Sequence, residues 1–146
     1  MQLSPPTPLR SPSLIDEAIK LFKYGKGIWT SLRSAHELSE PPHKMMRIGK
    51  DGSLTGFFPF DPRPEYFNLP RQTFPKAYHP DGYVDIFRPD IIESGILFGD
   101  RIMPFITKHV IEVDRPEDFE YLEYIIKSKG HPLLSYLDSN FGRYKK

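Results

Sequence analysis

The sequence predicts a single α/β domain, because segments with helical periodicity alternate along the chain with segments typical of strands. Residues 12–24 place apolar side chains at helical spacing between the cap residue Ser11 and Gly25, which is typical of a helix end. Residues 82–87 have the β-rich composition of a strand. Another apolar stripe at helical spacing follows Pro116. Helices and strands in alternation are the ordinary pattern of an α/β fold.

The composition limits the classes of function. The chain has 146 residues, with 20 Lys and Arg against 19 Asp and Glu, so its formal net charge is +1. This balance argues against a broad nucleic-acid interface. There is no cysteine, which excludes disulfides, thiolate metal sites and cysteine nucleophiles. No apolar run approaches the roughly 20 residues that span a bilayer, and the Pro- and Ser-rich N-terminus does not resemble a signal peptide. We therefore expect a soluble, cytoplasmic protein without a membrane partner.

The N-terminal third predicts a strand–loop–helix unit followed by a second strand. Residues 1–3 are typical of the last residues of a strand, and the proline-dense residues 4–10 predict a loop, because proline cannot continue a strand ladder. After the first helix, residues 27–32 predict a strand and residues 34–42 a polar loop.

The middle of the chain predicts a β-hairpin with an apolar extension. Residues 44–49 and 53–58 flank a Lys-Asp-Gly turn signal at residues 50–52. An aromatic, irregular segment follows to residue 70. Such a segment favours packing against another subunit. The alternative is that it covers the core of its own chain.

Residues 110–119 predict the junction of a final buried strand and a helix. Residues 110–113 alternate apolar and acidic side chains, Asp114 is expected to cap the helix, and Pro116 lies in its first turn. Glu112 and Asp114 are two residues apart, so on a strand their carboxylates point to the same side, where they could hold a divalent cation. The alternative is that Asp114 only caps the helix and Glu112 lies at a solvated edge.

Six short segments occur in the same order along residues 3–119 as six motifs of one enzyme family. They are residues 3–10 (family motif L-x-P-T-S-P-L-R), 42–45 (H-P-x-K-M), 71–75 (R-Q-x-L-P), 79–82 (R-x-N-G), 98–100 (F-G-D) and 112–119 (D-I-D-T-x-x-D-F). The chain thus resembles the C-terminal portion of cytidylyltransferases of the CMP-sialic acid synthetase (acylneuraminate cytidylyltransferase) type. These enzymes transfer CMP from CTP to acidic sugars and release pyrophosphate.

The resemblance implies a fold and an assembly. It implies a partial Rossmann-like nucleotide-diphospho-sugar transferase fold, a three-layer sandwich in which residues 1–146 form the C-terminal part of one cytidylyltransferase domain. About residues 43–80 would form a protruding β-hairpin arm that makes the protein a homodimer. The implied role is the activation of a sialic-acid-like sugar for cell-surface polysaccharide biosynthesis.

The resemblance also implies roles for individual residues. Asp114 with Glu112 would bind Mg²⁺, and Asp118 would orient these ligands. Lys44 and Arg71 would supply positive charge as catalytic residues. The remaining implied contacts to the substrate come from Ser4, Gln72, His79, Asp85 and Leu97.

Each role has a structural alternative. Lys44 could be a solvated lysine before the hairpin, and Arg71 could form an ordinary surface ion pair. His79 and Asp85 could be structural residues. Asp118 could simply favour the N-terminus of its helix through the helix dipole.

This sequence departs from the family in two respects. The family's K-G-N-S-K-R-L-P-type loop, which cradles CTP, is absent from it. A truncated gene, a miscalled start and one piece of a split protein are all compatible with that absence, and we expect the chain to be inactive by itself. Ser4, His79 and Asp85 replace a glutamine, an arginine and a tyrosine of the sialic-acid-specific members, which favours a different sugar acid. A non-catalytic remnant or assembly subunit of the same fold is the alternative from another class.

Overall fold

A computed structural model describes residues 1–25, 27–108 and 110–142. Within them the chain is mixed α/β, with four α-helices and two small sheets, which confirms the predicted class. It divides into two compact units. The first comprises Met1–His36 together with the chain from Pro80 onward, and the second comprises Glu37–His79. The second unit therefore begins six residues before the predicted arm and ends one residue before its predicted end.

The first unit contains all four helices and a three-stranded sheet. The helices are α1 (Pro12–Tyr24), α2 (Pro89–Glu93), α3 (Pro116–Lys129) and α4 (Pro132–Phe141). The strands are β1 (Ser31–Glu37), β4 (Tyr78–Phe87) and β5 (Ile102–Ile106), and the boundary between the units falls inside β1 and β4. Among the described residues, no helix is both long and apolar enough to cross a membrane.

The sheet has the order β4-β1-β5, so β1 is its central strand. β1 and β5 run parallel, with Ser31 opposite Ile102 and Ala35 opposite Ile106. The predicted strand end at the N-terminus is a single antiparallel bridge between Gln2 and Asp85 of β4.

A compact apolar core joins α1 to this sheet. Its buried members come from α1, from all three strands and from no loop, because each element turns one apolar face inward. They are Ala18, Leu32, Tyr83, Val84, Met103 and Phe105. The partly buried side chains of Ile15, Phe22, Trp29, Ile86 and Val110 pack around them.

The second unit is built on the predicted hairpin, whose strands are β2 (Met46–Ile48) and β3 (Leu54–Gly56). Tyr66 is buried beneath it and accepts a hydrogen bond from the backbone N–H of Phe58 at 2.6 Å. Gly56 is needed for this close approach, because a Cβ at that position would lie 2.1 Å from the Tyr66 hydroxyl.

The strand predicted at residues 27–32 is displaced by four to five residues from the observed β1 (Ser31–Glu37). Residues 27–30 are irregular, and the strand runs through the part of the chain that we expected to be a polar loop. Ser31 and Ser34 are completely buried in it. Ser31 Oγ donates to the carbonyl of Phe98 at 2.7 Å, and Ser34 Oγ accepts from the N–H of Val84 at 2.9 Å. Because these hydroxyls are hydrogen-bonded, the burial of both serines costs little free energy. The prediction failed because it took polar side chains as a sign of an exposed loop.

The predicted final strand at residues 110–113 is also wrong, since its described residues have no regular secondary structure. β5 ends at Ile106, and the segment is held instead by the N–H of Val113, which donates to the carbonyl of Pro6 at 2.7 Å. The helix after it is confirmed. The apolar stripe of this helix is only partly buried, because Leu122 is its one buried residue and Phe119 is exposed.

Candidate functional site

A cleft of about 320 Å³ lies in the first unit, where the N-terminal loop, β1, β4 and two later loops meet. Five of the predicted site residues line it: Ser4, Asp85, Leu97, Glu112 and Asp114. They come from segments that are far apart in the sequence. The fold therefore brings together half of the residues that the sequence had singled out.

The N-terminal loop forms one wall of the cleft and is anchored to β4 by Arg10. The Arg10 guanidinium donates to the carbonyls of Tyr83 at 2.8 Å and Gly82 at 3.0 Å, and also to that of Ser4. Burial lowers the pKa of Arg10, an effect opposed by Tyr83 and Asp81. The loop is thus tied to the strand by backbone carbonyls, and this fixes the position of Ser4.

Asp81 is a fully buried carboxylate on the same strand. One of its oxygens accepts the N–H of Tyr83 at 3.0 Å, and the other accepts the Thr107 hydroxyl and lies 3.9 Å from His36 Nδ1. Thr7 Oγ1 donates to the Asp81 carbonyl at 3.0 Å. These hydrogen bonds connect Asp81 with the N-terminal loop, with its own strand and with the residue that follows β5. Asp81 therefore holds these segments of the cleft together.

Asp85 and Arg33 form a loose ion pair in the cleft. Their Oδ1 and Nε atoms lie 3.9 Å apart, and each atom is shielded from solvent without a hydrogen-bond partner among the described residues. Burial raises the pKa of the Asp85 carboxyl, while the charge of Arg33 opposes that rise and Asp81 adds to it. The guanidinium of Arg33 also stacks on the Phe98 ring, 4.3 Å from its centroid.

Glu112 and Asp114 both line the cleft, and the segment that carries them is not the strand that the sequence predicted. The bond from Val113 N–H to the Pro6 carbonyl fixes the residue between them. Within the described part of the chain, no group of three or more His, Cys, Asp or Glu side chains is placed to hold a metal ion. The acidic pair therefore offers at most two carboxylate ligands from the protein.

The predicted cap of α3 needs correction. The helix begins at Pro116, so Arg115 rather than Asp114 occupies the N-cap position. Asp118 makes the capping contacts instead, since its Oδ2 accepts the N–H groups of Asp114 at 3.0 Å and Arg115 at 2.8 Å. The prediction failed because the sequence has two acids, Asp114 and Asp118, that could make the capping contacts at the start of this helix. Asp118 thereby holds the backbone of Asp114, and the carboxylate of Asp114 is left for the cleft.

The other predicted residues belong to the second unit. Lys44 Nζ donates to the Leu69 carbonyl at 3.1 Å, and Arg71 Nη1 donates to the Ser39 carbonyl at 3.3 Å. Arg71 and Gln72 line a pocket of about 330 Å³ within that unit. His79 is exposed at the start of β4.

Arg33 is a charged residue of the cleft to which the sequence assigned no role. Arg33 was missed because the predicted strand ended at residue 32, one residue before it. A charged side chain two residues after Ser31 on a buried strand would have been a signal, as a buried charge requires a partner or a ligand.

No sequence model of a known protein family matches the chain, and no significant match was found among curated proteins.

Proposed function

We propose that this chain is the acceptor-sugar portion of a CTP-dependent cytidylyltransferase, which transfers CMP to an acidic sugar with release of pyrophosphate. One observation carries the proposal. The family resemblance assigns roles to Ser4, Asp85, Leu97, Glu112 and Asp114, and all of them line one cleft of about 320 Å³. The sequence lacks the loop that cradles CTP in the family, so the isolated chain is expected to be inactive.

The proposed fold is part of a three-layer, Rossmann-like nucleotide-diphospho-sugar transferase domain. The parallel pair β1–β5 and the packing of α1 on the sheet support it. The cleft adjoins irregular segments that follow β5, consistent with the tendency of ligands to bind beyond strand ends in α/β sheets. The hairpin unit at residues 37–79 is proposed as the dimerisation arm.

The donor set of the cleft fits Mg²⁺ in the mode that this ion uses with nucleotides. Mg²⁺ usually takes one or two protein carboxylates and completes its octahedron with water and substrate phosphates. Glu112 and Asp114 can supply two such oxygens, and the lack of a third acidic ligand in the described residues is compatible with this mode. When bound, the ion would supply charge neutralisation at the triphosphate and lower the pKa of the attacking hydroxyl.

The other side chains of the cleft would bind and orient the sugar. Asp85 accepts hydrogen bonds from hydroxyls, Ser4 donates or accepts them, and Leu97 presents an apolar surface. Such positioning is the main contribution that a protein makes to phosphoryl-type transfer. Lys44, Arg71, Gln72 and His79 keep the substrate and catalytic roles that the resemblance implies as part of this proposal, and Arg71 and Gln72 share a pocket within the second unit.

Two alternatives are tied to specific observations. A non-catalytic assembly subunit is favoured by Lys44, whose ammonium group is hydrogen-bonded to the Leu69 carbonyl. A cytidylyltransferase for another sugar acid, such as an eight-carbon one, is favoured by the replacements at Ser4, His79 and Asp85.

Titration calorimetry of the full chain with MgCl₂ tests the proposal. We expect weak binding that is lost in Glu112→Gln and in Asp114→Asn and retained in Glu120→Gln, a control at an exposed acid of α3. Equal binding by all four proteins would contradict the metal site. A pyrophosphate-release assay on the same chain should show no turnover, and activity would overturn the role assigned to the missing loop.

A further inference from the structure

Arg33 is the one Lys, Arg or His side chain that lines the cleft in the described part of the chain. Four acids line the cleft. Asp81 is fully buried and hydrogen-bonded within the protein, which leaves the carboxylates of Asp85, Glu112 and Asp114 around the same space. Such a composition suits a ligand that carries hydroxyl hydrogens for the carboxylates and one anionic group for the guanidinium.

Among the residues that the structure describes, stacking rather than hydrogen bonding positions the Arg33 guanidinium. It lies over the Phe98 ring at 4.3 Å from the centroid, and that ring in turn packs edge-on against Phe87 with centroids 5.1 Å apart. The stacked position restricts the side chain, and 40% of its surface stays exposed. A planar guanidinium fixed by stacking is pre-organised for a bidentate oxyanion.

The ion pair with Asp85 does not satisfy either partner. Arg33 Nε and Asp85 Oδ1 lie 3.9 Å apart, beyond hydrogen-bond distance, and both atoms are shielded from solvent with no other partner among the described residues. Polar atoms buried in this way are costly. Because these two atoms are shielded, a ligand in the cleft would meet the pair through the exposed part of each side chain, which is 40% for Arg33 and 13% for Asp85.

We propose that Arg33 is an oxyanion receptor that binds the acidic group of a polyhydroxylated ligand, while Asp85 accepts a neighbouring hydroxyl of the same molecule. The ligand class is a sugar acid or a sugar phosphate, which share an anionic group beside hydroxyls. In naming the ligand as a sugar the inference rests on the proposed function, and it assigns to Arg33 a role in specificity that the sequence motifs did not.

Binding of three probes to the full chain in EDTA tests this. The probes are an eight-carbon 2-keto sugar acid, its methyl ester, and glucose 6-phosphate. We expect the free acid to bind at least about tenfold more tightly than its ester, because the ester cannot form a charge-assisted bidentate pair. Arg33→Gln should abolish that preference, and Arg33→Lys should weaken it, since lysine lacks the planar fork.

The control variant is Arg101→Gln, which changes an exposed arginine outside the cleft. It should bind the acid as the unchanged chain does. Preferential binding of the phosphate through Arg33 would retain the receptor and assign its ligand to the sugar phosphates. Absence of binding by every probe, or acid binding by Arg33→Gln equal to that of the unchanged chain, would overturn the inference. Because EDTA removes Mg²⁺, this result is independent of the metal titration that tests Glu112 and Asp114.

Discussion

At the scale of single residues, Asp118 shows how one carboxylate can organise a site without entering it. It accepts two backbone N–H groups at the start of α3, one of them from Asp114. The bonds fix the backbone of a cleft residue and satisfy two donors of a helix N-terminus. The predicted role of Asp118, to orient the metal ligands, stays a proposal, and its contact with Asp114 supports that role.

Asp118→Ala should destabilise the chain by about 1 kcal/mol, the usual effect of losing a helix cap. Glu117→Ala is the matched control, because it removes an acid from the same helical turn and leaves both hydrogen bonds of Asp118 intact. Urea unfolding followed by circular dichroism measures the two free energies of unfolding. Equal losses in both variants would show that charge near the helix dipole, rather than the capping bonds, stabilises this end.

Asp85 should make stability depend on pH in the direction opposite to an ordinary paired carboxylate. Burial raises the folded-state pKa of Asp85 above 3.8, the ordinary value that applies to the unfolded chain. At a pH between 3.8 and the raised pKa, the folded state binds more protons than the unfolded state. Stability therefore falls as the pH rises through that window. Asp85→Asn removes the buried charge and should raise the free energy of unfolding near neutral pH.

The gain in Asp85→Asn should shrink as the pH falls and vanish below pH 3.8, where the carboxyl is protonated in both states. Urea unfolding of both proteins across this range provides the measurement. A variant that is less stable than the unchanged chain at neutral pH would mean that the pair with Arg33 outweighs the burial of the charge.

At the scale of elements, the hairpin unit leaves a group of large apolar side chains exposed. Phe60 is 96% exposed and Ile48 is 76% exposed, and Leu54 and Phe57 are exposed beside them in the sequence of the same unit. Patches of this kind on a folded unit commonly mark an interaction surface. The predicted homodimer is consistent with this surface and stays a prediction.

Replacement of Ile48 and Phe60 by serine together should convert a dimer into a monomer, because both changes remove apolar area from the proposed interface. Sedimentation equilibrium at micromolar concentration measures the association state. Ile92→Ser changes an exposed apolar residue of the first unit and should leave the dimer intact. A monomeric unchanged chain would contradict the dimerisation arm.

The sequence predicted those elements whose boundaries depend on local chemistry. α1 begins at Pro12, a residue favoured at the first helical position, and ends before Gly25. The Lys50–Gly52 turn connects β2 and β3, and such starts and turns are decided by neighbouring residues. It failed at β1, where Ser31 and Ser34 are buried through hydrogen bonds to distant segments. Such bonds form only after folding, so polarity along the chain could not reveal them.

At the scale of the whole molecule, the cleft combines residues to which the sequence assigned roles with residues to which it assigned none. It gathers Ser4 from the N-terminal loop, Asp85 from β4 and Asp114 from the segment before α3. Arg33 was found only in three dimensions, because its significance comes from Phe98 and Asp85, which lie more than fifty residues away in the chain. Contacts at that separation leave no local pattern.

We propose that the cleft is a magnesium-dependent sugar-acid site, with the metal at Glu112 and Asp114. Amide NMR spectra of the ¹⁵N-labelled full chain, recorded during a titration with MgCl₂, test it most directly. We predict shifts concentrated at residues 111–115, with the exposed acids Asp16 and Glu17 of α1 as internal controls that stay unchanged. Shifts of equal size at the controls, or none at residues 111–115, would contradict the claim.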